Sequence, residues 1–300
     1  MKNKYILSFF DWITYYKRHF VNPEKYLQKM FYKRMGYELN LENPKTYSEK
    51  LQWMKLYDHN PLYTTLVDKY EVKQYISEKI GSQYVIPTIG VWDTVDDIDF
   101  DQLPNQFVLK STHDSGGIVI CKDKRIFDIK RAKRVLKKSL KRNFYYMGFE
   151  WPYKDVKPRI IAETYMEDSK TKELRDYKFF CFDGVVKALF IATERQKEGE
   201  DVKFDFFDED FNHLPFKQGH ENAIEVPEKP ICFEEMKRLA SILSEKLPQV
   251  RVDFYEVDGR VFFGEMTFFH HGGWTPFDPK EWDITFGQWL SLPKKNIYSL

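Results

Sequence analysis

The chain has 300 residues, 42% of them hydrophobic and 17% aromatic, enough to bury one large core or two to three smaller ones in a lobed globular protein. Its 47 basic residues against 46 acidic ones exclude a protein that holds nucleic acid by bulk charge. Cys121, Cys181 and Cys232 are few, odd in number and in no metal-ligand spacing, which points to a reduced, cytoplasmic setting.

At the start of the chain, Tyr5 to Ile13 form an apolar run flanked by Lys2, Lys4, Lys17 and Arg18. The run is too short for a membrane span, is broken by Asp11 and has no small-residue cleavage site behind it, so it is not a signal peptide. It reads as an amphipathic helix packed on the body of the protein. The alternative is an interfacial helix at the inner face of the membrane, where the cations and Phe9, Phe10 and Trp12 would meet anionic lipid. Residues up to about 60 look helical, with Thr46 and Glu49 at capping-box spacing ahead of Leu51, Trp53, Met54 and Leu56. A second helix is expected from Leu66 to Ile80, ended by Gly81, and Pro87 opens an extended stretch from Thr88 to Trp92. No repeat or flexible linker appears, so the lobes must be interleaved or tightly joined.

Phe107 to Lys110 and Ile118 to Cys121 read as strands around the small-residue loop Ser111 to Gly117. Such a loop lets backbone N–H groups approach an anion, with Lys110 aimed at the same anion, or it is only a turn. Ile126 to Phe144 is a helix rich in Lys and Arg whose buried stripe is Ile129, Ala132, Val135, Leu136 and Leu140. Its charge is a solvated face or a guide for a polyanion. Arg159 to Asp168 is a strand running into a polar connection. Asp176 to Phe182 and Val185 to Ile191 form a hairpin, Lys203 to Phe207 extend the sheet, and a helix follows from Phe233 to Leu247. Helices and antiparallel strands in separate blocks argue for an α+β fold rather than a doubly wound parallel sheet.

The last hairpin, Arg251 to Tyr255 and Val261 to Thr267 around Asp258-Gly259, places an acid in each strand. A three-residue loop or a bulge near Asp258-Gly259 would set Asp253 opposite Glu265, and Mg²⁺ would relieve their repulsion. Arg251 shares the face of Asp253 and can meet an anion held by the metal. Alternatively Arg251 is the ion-pair partner of either acid, and a plain two-residue turn separates the acids onto opposite faces. Asp176 and Lys178 are an intra-sheet ion pair or nucleotide contacts. Adjacent His270 and His271 face opposite ways on an extended chain and make a poor metal pair, though one could contact substrate. Trp53, Trp274 and Trp282 read as core.

In this order the segments resemble the ATP-grasp superfamily, and the wording is similar to its TupA-like branch, linked to teichuronopeptide and other bacterial surface polysaccharides. The matching phrases begin at Asn43-Pro44-Lys45-Thr46-Tyr47, Leu103-Pro104-Asn105-Gln106, Asp176-Tyr177-Lys178-Phe179 and Arg251-Val252-Asp253-Phe254, over roughly residues 40 to 295. The resemblance implies two α+β lobes clamping ATP. It divides the chain into a helical region (1–60), the first part of the core (61–99), a lid lobe (100–168) and a C-terminal lobe with the metal site (169–300).

It further implies that Lys69, placed in a helix, and Lys110 hold the ATP phosphates with Ser115, Gly116, Gly117 and Lys178. Backbone groups near Tyr165 and Met166 would meet adenine, with Glu163 and Asp168 near adenine and ribose. Asp253 and Glu265 would hold Mg²⁺, with Thr267 where relatives often have Asn, and Arg251 would act with Lys110 in catalysis by stabilising an oxyanion. Asp114 departs from the loop expected in relatives and would add a negative charge beside the triphosphate. The implied activity is a carboxylate-amine ligase acting through an acylphosphate, with an acidic glycan or lipid-linked oligosaccharide and an amino acid as partners. The alternatives are a glycan kinase, a non-catalytic scaffold, and a glycosyltransferase, for which the acid-rich stretch Asp205 to Asp210 is the candidate motif.

Overall fold

The computed structural model describes residues 18–194 and 201–295. The apolar run at residues 5–13, and with it the membrane-surface reading, lies outside the described residues. Among those described, no helix is long and apolar enough to cross a membrane.

Helix α1 (Pro23–Met35) starts where Asn22 accepts from the Lys25 N–H and stops at Gly36, whose left-handed conformation at φ 81° suits a residue without Cβ. Helix α2 (Tyr47–Tyr57) carries the capping box of Thr46 and Glu49. Its Leu51, Gln52, Trp53, Met54 and Lys55 are all buried, so it is a core helix rather than an amphipathic surface one. The single helix expected from Leu66 to Ile80 is in fact two, α3 (Leu62–Val67) and α4 (Glu71–Lys79). Asp68 breaks it: its backbone is extended, and its carboxylate accepts the N–H of Tyr70 at 2.8 Å and pairs with Arg159 at 2.8 Å. Lys69 therefore sits in the break, not in a helix, and its own N–H bonds to the Thr112 carbonyl at 3.1 Å.

A four-stranded antiparallel sheet contains β1 (Thr88–Trp92), β2 (Phe107–Ser111), β3 (Ile118–Cys121) and β4 (Ile160–Thr164) in the order β1-β4-β2-β3. Phe107, Leu109, Cys121, Ile160 and Ala162 pack in one cluster with Leu136 of helix α5 (Ile129–Leu140). That helix is shorter than the sequence pattern proposed, because Asp128 caps it by accepting the Arg131 N–H at 2.8 Å. Alternation along the strands leaves Val108, Lys110, Ile118, Ile120 and Glu163 on the opposite face. The short helix α6 (Tyr145–Gly148) follows α5.

The larger sheet has β5 (Asp176–Phe182), β6 (Val185–Thr193), β7 (Lys203–Asp208), β8 (His213–Leu214), β10 (Val250–Val257) and β11 (Arg260–Thr267), ordered β11-β10-β5-β6-β7-β8 and antiparallel throughout. Phe179, Val252 and Phe254 of one face pack against helix α7 (Phe233–Ser244) through Phe233, Met236, Leu239 and Leu243. The other face carries Phe180, Phe182, Phe190 and Phe206, covered by Tyr47 of α2 and Phe286 of α8 (Glu281–Trp289). Burying rings of this size supplies the main driving force for the fold, about 25 cal/mol per Å² of apolar surface. On β5 and β10 the aromatic face gives way to Asp176, Lys178, Arg251 and Asp253. A two-stranded ribbon of β9 (Lys217–Gln218) and β12 (Phe277–Asp278) lies alongside.

Candidate functional site

The acidic hairpin shows how the site is assembled. Val257 pairs with Arg260, so the turn holds only Asp258 and Gly259, at φ 50° and 70°. A two-residue turn alone would register Asp253 with Gly264 and send Glu265 to the other face. The bulge expected near Asp258-Gly259 lies instead at Gly264: Phe254 pairs with Phe263 and Asp253 with Glu265. A Cβ on Gly264 would stand 3.0 Å from the Asp253 carbonyl oxygen, so glycine is what the bulge accommodates.

Asp253 is completely buried and receives two hydrogen bonds from Arg251, Nε to Oδ1 at 2.7 Å and Nη2 to Oδ2 at 2.8 Å. Lys178, its cross-strand partner, donates to Oδ2 as well and lies 3.4 Å from Asp176. Burial works to raise the Asp253 carboxyl, but Arg251 and Lys178 outweigh it and hold the group below the usual aspartate range. Arg251 Nη2 also reaches Glu265 at 3.3 Å and Thr267 at 3.0 Å. The ion-pair alternative for Arg251 is thus what the side chains adopt. Glu265 remains 43% exposed, facing the cleft. Among the described residues no group of three or more His, Cys, Asp or Glu is placed to hold a metal by itself.

Arg251 Nη1 donates to His270 Nδ1 at 2.7 Å, which fixes the proton of that neutral ring on Nε2. Burial, then the neighbouring His271 and Arg251, keep His270 well below the ordinary histidine range, and burial pulls His271 down to about 4. The two rings are not splayed as on an extended chain, because His271 turns left-handed at φ 49° and the centroids come within 4.2 Å. Two buried side chains of α2 hold this turn through three hydrogen bonds: Lys55 to the Gly272 carbonyl at 2.7 Å, and Gln52 to the carbonyls of Gly272 at 3.1 Å and Gly273 at 3.0 Å.

From the smaller sheet comes Glu163, buried between two lysines, with Lys73 at 2.5 Å and Lys110 at 2.6 Å. Burial works to raise this carboxyl, and Lys110 and Lys73 overcome it and leave it below the ordinary glutamate range. Lys69 donates to the Asp114 carbonyl at 3.0 Å. Lys69, Lys73, Lys110, Lys178, Glu163, Asp176 and Glu265 line one cavity of about 120 Å³, with apolar walls from Val72, Ile86 and Ile118. The sequence reading missed Lys73. Its signal was a lysine beside the buried stripe of Val72 and Ile76, in the helix that follows Lys69.

Asp114 does not add free charge to the loop. Its side chain is fully buried, paired with Arg142 at 2.5 Å and accepting from Ser139 at 2.5 Å. Gly117 is required there, since a Cβ would collide with the hydroxyls of Ser111 and Ser139, and its carbonyl accepts the Ser111 N–H at 2.8 Å. Ser115 follows on the same turn, its N–H bonded to Asp114 at 2.8 Å, while Gly116 precedes Gly117 at φ 155°. Ser115, Gly116 and Gly117 do not line the cavity, although Ile118 beside them does.

Tyr165 and Met166 lie past the end of β4, the Tyr165 hydroxyl on Glu167 at 2.6 Å and Met166 against Ile86, Val257 and Phe262. Asp168 stands apart from the cavity. It accepts N–H groups of Thr171, Lys170 and Asp258, and these bonds draw its pKa down to about 2. Of the acid-rich stretch, Asp205 is buried and accepts from Ala223 N–H at 3.2 Å, and Asp208 closes its own turn through Asp210 and Asn212. Both carboxylates thus have local structural work.

A family model described as TupA-like ATPgrasp matches residues 49–291. No curated protein matches the chain. Among solved structures it is similar to a D-alanine–D-alanine ligase from Bacillus anthracis complexed with ATP, at 18% identity over 68% of this chain and 53% of that one, with a TM-score of 0.39. A D-alanine–D-alanine ligase from Helicobacter pylori is 14% identical over 75% of this chain and 61% of its own, with a TM-score of 0.41. A D-cycloserine synthetase is 15% identical over 76% and 70%, with a TM-score of 0.42. The chain thus spans between half and two thirds of the length of the two D-alanine–D-alanine ligases.

Proposed function

The chain belongs to the TupA-like ATP-grasp family, with the α+β ATP-grasp fold, and from that premise we propose that it is an ATP- and Mg²⁺-dependent carboxylate-amine ligase of bacterial surface-polysaccharide synthesis. It joins an amino acid to a uronic acid or another acidic acceptor. The observation that carries this reading is the convergence of Lys69, Lys73, Lys110 and Lys178 on one cleft between two sheets. Four ammonium groups against the buried Glu163 and Asp176 and the half-open Glu265 leave a surplus of positive charge that a triphosphate satisfies.

In this account Lys110, Lys69 and Lys178 bind the phosphates, and Glu163 positions Lys110 while Lys73 keeps that carboxylate neutralised. Backbone groups at Tyr165 and Met166 meet adenine beside the apolar cluster of Ile86, Val257 and Phe262. Ser115 to Gly117 act through a loop whose shape is fixed by Asp114, Arg142 and Ser139. Asp168 contributes indirectly, by tying its loop to the Asp258 turn.

The residues also fit a magnesium ion. A hard dication takes one or two carboxylates and completes its shell with phosphate and water, and Asp253 and Glu265 are cross-strand partners on one face. Those two would hold it, with Thr267 through water, and it would neutralise charge on the transferring phosphoryl group. Arg251 Nη1 gives one N–H to His270, and its second would be the donor that stabilises the oxyanion formed when the amine attacks the acylphosphate. Lys178 and Arg251 hold the Asp253 oxygens until then, which keeps a buried carboxylate from standing unpaired.

The test is ADP release by the full chain supplied with ATP, Mg²⁺, an acidic polysaccharide fraction and a mixture of amino acids. Release that needs both the carboxylate and the amine supports the ligase. Release with a hydroxyl acceptor alone would make it a kinase, and stabilisation by nucleotide sugars in place of ATP would make it a glycosyltransferase.

A further inference from the structure

Among the described residues, four side chains hold the Arg251 guanidinium, and three of them, Asp253, Glu265 and Thr267, are the residues given above to the magnesium ion. His270 is the fourth. Its Nδ1 accepts from Arg251 Nη1 at 2.7 Å and its Nε2 is buried with no partner, so the one side-chain hydrogen bond of this 2% exposed ring goes to the arginine. A neutral acceptor orients a guanidinium without cancelling its charge, as a carboxylate would. Phe180 and Phe190 pack on the imidazole in turn, at 5.0 and 5.2 Å between centroids.

The backbone that delivers His270 needs support. His271, Gly272 and Gly273 are left-handed in succession, at φ 49°, 63° and 66°, and for a residue with a Cβ that conformation costs about 1–2 kcal/mol. Helix α2 supplies the support against its own interest. Fully buried Gln52 gives its Nε2 to the carbonyls of Gly272 and Gly273 and leaves its Oε1 buried without a partner, a loss of about 1–3 kcal/mol. Buried Lys55 donates to the Gly272 carbonyl and stands 4.1 Å over the Trp274 ring; burial draws it below the ordinary lysine range, and the charge of the buried Glu150 works against that. The fit is close, since a Cβ on Gly273 would stand 2.4 Å from Gln52 Nε2. Apolar side chains at these two positions would serve a core helix better, so what Gln52 and Lys55 serve is the shape of the turn.

We propose that His270, Gln52 and Lys55 are positioning residues for Arg251: α2 holds the 270–273 turn, the turn aims His270, and His270 orients the guanidinium independently of Asp253 and Glu265. Its catalytic consequence rests on the ligase reading above; the positioning of the side chain does not.

The experiment compares the full chain with Gln52→Leu, with the double variant Lys55→Met/Glu150→Gln, which leaves no buried carboxylate alone, and with His270→Phe and His270→Asn. Nitrogen NMR of the histidine-labelled protein without ligands reads the first link. Wild type shows one histidine, identified by its loss in His270→Phe, with an unprotonated, hydrogen-bonded Nδ1 and a protonated Nε2 throughout about pH 5–8, and both α2 variants move that Nδ1 signal toward its value without a hydrogen bond. ADP release reads the second link. The kcat falls about 10- to 100-fold in the α2 variants and in His270→Phe, as a misplaced group causes, while KM for ATP is unchanged. His270→Asn, whose Oδ1 can accept from Arg251 in place of Nδ1, keeps most of the rate. Should the double variant fail to fold, Gln52→Leu decides alone. An unmoved Nδ1 signal in the α2 variants overturns the proposal, as does a wild-type kcat in them, or a loss in His270→Asn equal to that in His270→Phe. If wild type turns over no nucleotide while the Nδ1 signal moves as expected, α2 still positions the arginine and the ligase reading falls.

Discussion

Replacing Lys110 by Met removes one of the two cations that flank Glu163. The carboxylate is 7% exposed and has Lys73 at 2.5 Å and Lys110 at 2.6 Å. Leaving a buried charge with no partner costs about 3–5 kcal/mol, but Lys73 remains, so the loss is that of one charged hydrogen bond, about 1.5–3 kcal/mol. For a chain of this size that corresponds to a fall in Tm of roughly 2–5 °C. The sign of the pH dependence follows from the depressed carboxyl. Its contribution is fully present above the ordinary glutamate value of 4.5 and is lost as pH falls through the lower value of the folded state. The deficit of Lys110→Met relative to wild type should therefore shrink in acid. Adding Glu163→Gln to Lys110→Met should recover part of the loss, a coupling of roughly 1–3 kcal/mol. Urea denaturation at pH 7 and pH 4 measures all three quantities, and calorimetry should find ATP bound at least about tenfold more weakly. A variant as stable as wild type at pH 7, or a deficit that grows in acid, refutes the reasoning.

Arg142→Met strands the fully buried Asp114 with only neutral donors, and should cost about 2–4 kcal/mol and speed hydrogen exchange in residues 111–117; unchanged exchange there contradicts the tether. Asp168→Asn should remove the part of the acid-induced fall in Tm that occurs between pH 3.8 and about 2, where wild-type Asp168 takes up its proton. If the two proteins melt in parallel over that range, the carboxylate is not what ties the loop to the Asp258 turn. Gly264→Val drives a side chain against the Asp253 carbonyl and Tyr255, and should cost about 1–3 kcal/mol and abolish ADP release by disturbing the Asp253–Glu265 register. Wild-type turnover in that variant would mean the bulge is unnecessary.

Most strands could be read from the sequence because alternation of Phe, Val and Ile with polar residues is a local signal, and β2, β3, β5 and the closing hairpin follow it. Lys110, Glu163, Lys178, Asp253 and Glu265 were legible as charges inserted into such runs. What the pattern could not carry was set by partners distant in sequence. The helix break at Asp68 depends on Arg159, ninety-one residues away, and the burial of Asp114 depends on Arg142 and Ser139. Lys73 acquires its role only when β4 brings Glu163 beside it. The bulge at Gly264 was misplaced to the hairpin turn because Asp258-Gly259 is a strong local signal, whereas a glycine within a strand is a weak one. The resemblance implies a place for Asp168 near adenine and ribose, and what no local pattern reveals is that three backbone N–H groups bond to its carboxylate.

The central claim is that the lysine cleft, with Asp253 and Glu265 at its edge, takes ATP together with Mg²⁺. Calorimetric titration of ATP into the wild-type chain and the Glu265→Gln variant, each with and without Mg²⁺, tests it most directly. The account predicts saturable one-site binding in the range of about 1 μM to 1 mM typical of enzyme substrates, tightened by Mg²⁺ in wild type and not in Glu265→Gln. No ATP binding at millimolar concentration, or the same Mg²⁺ dependence in both proteins, would contradict it.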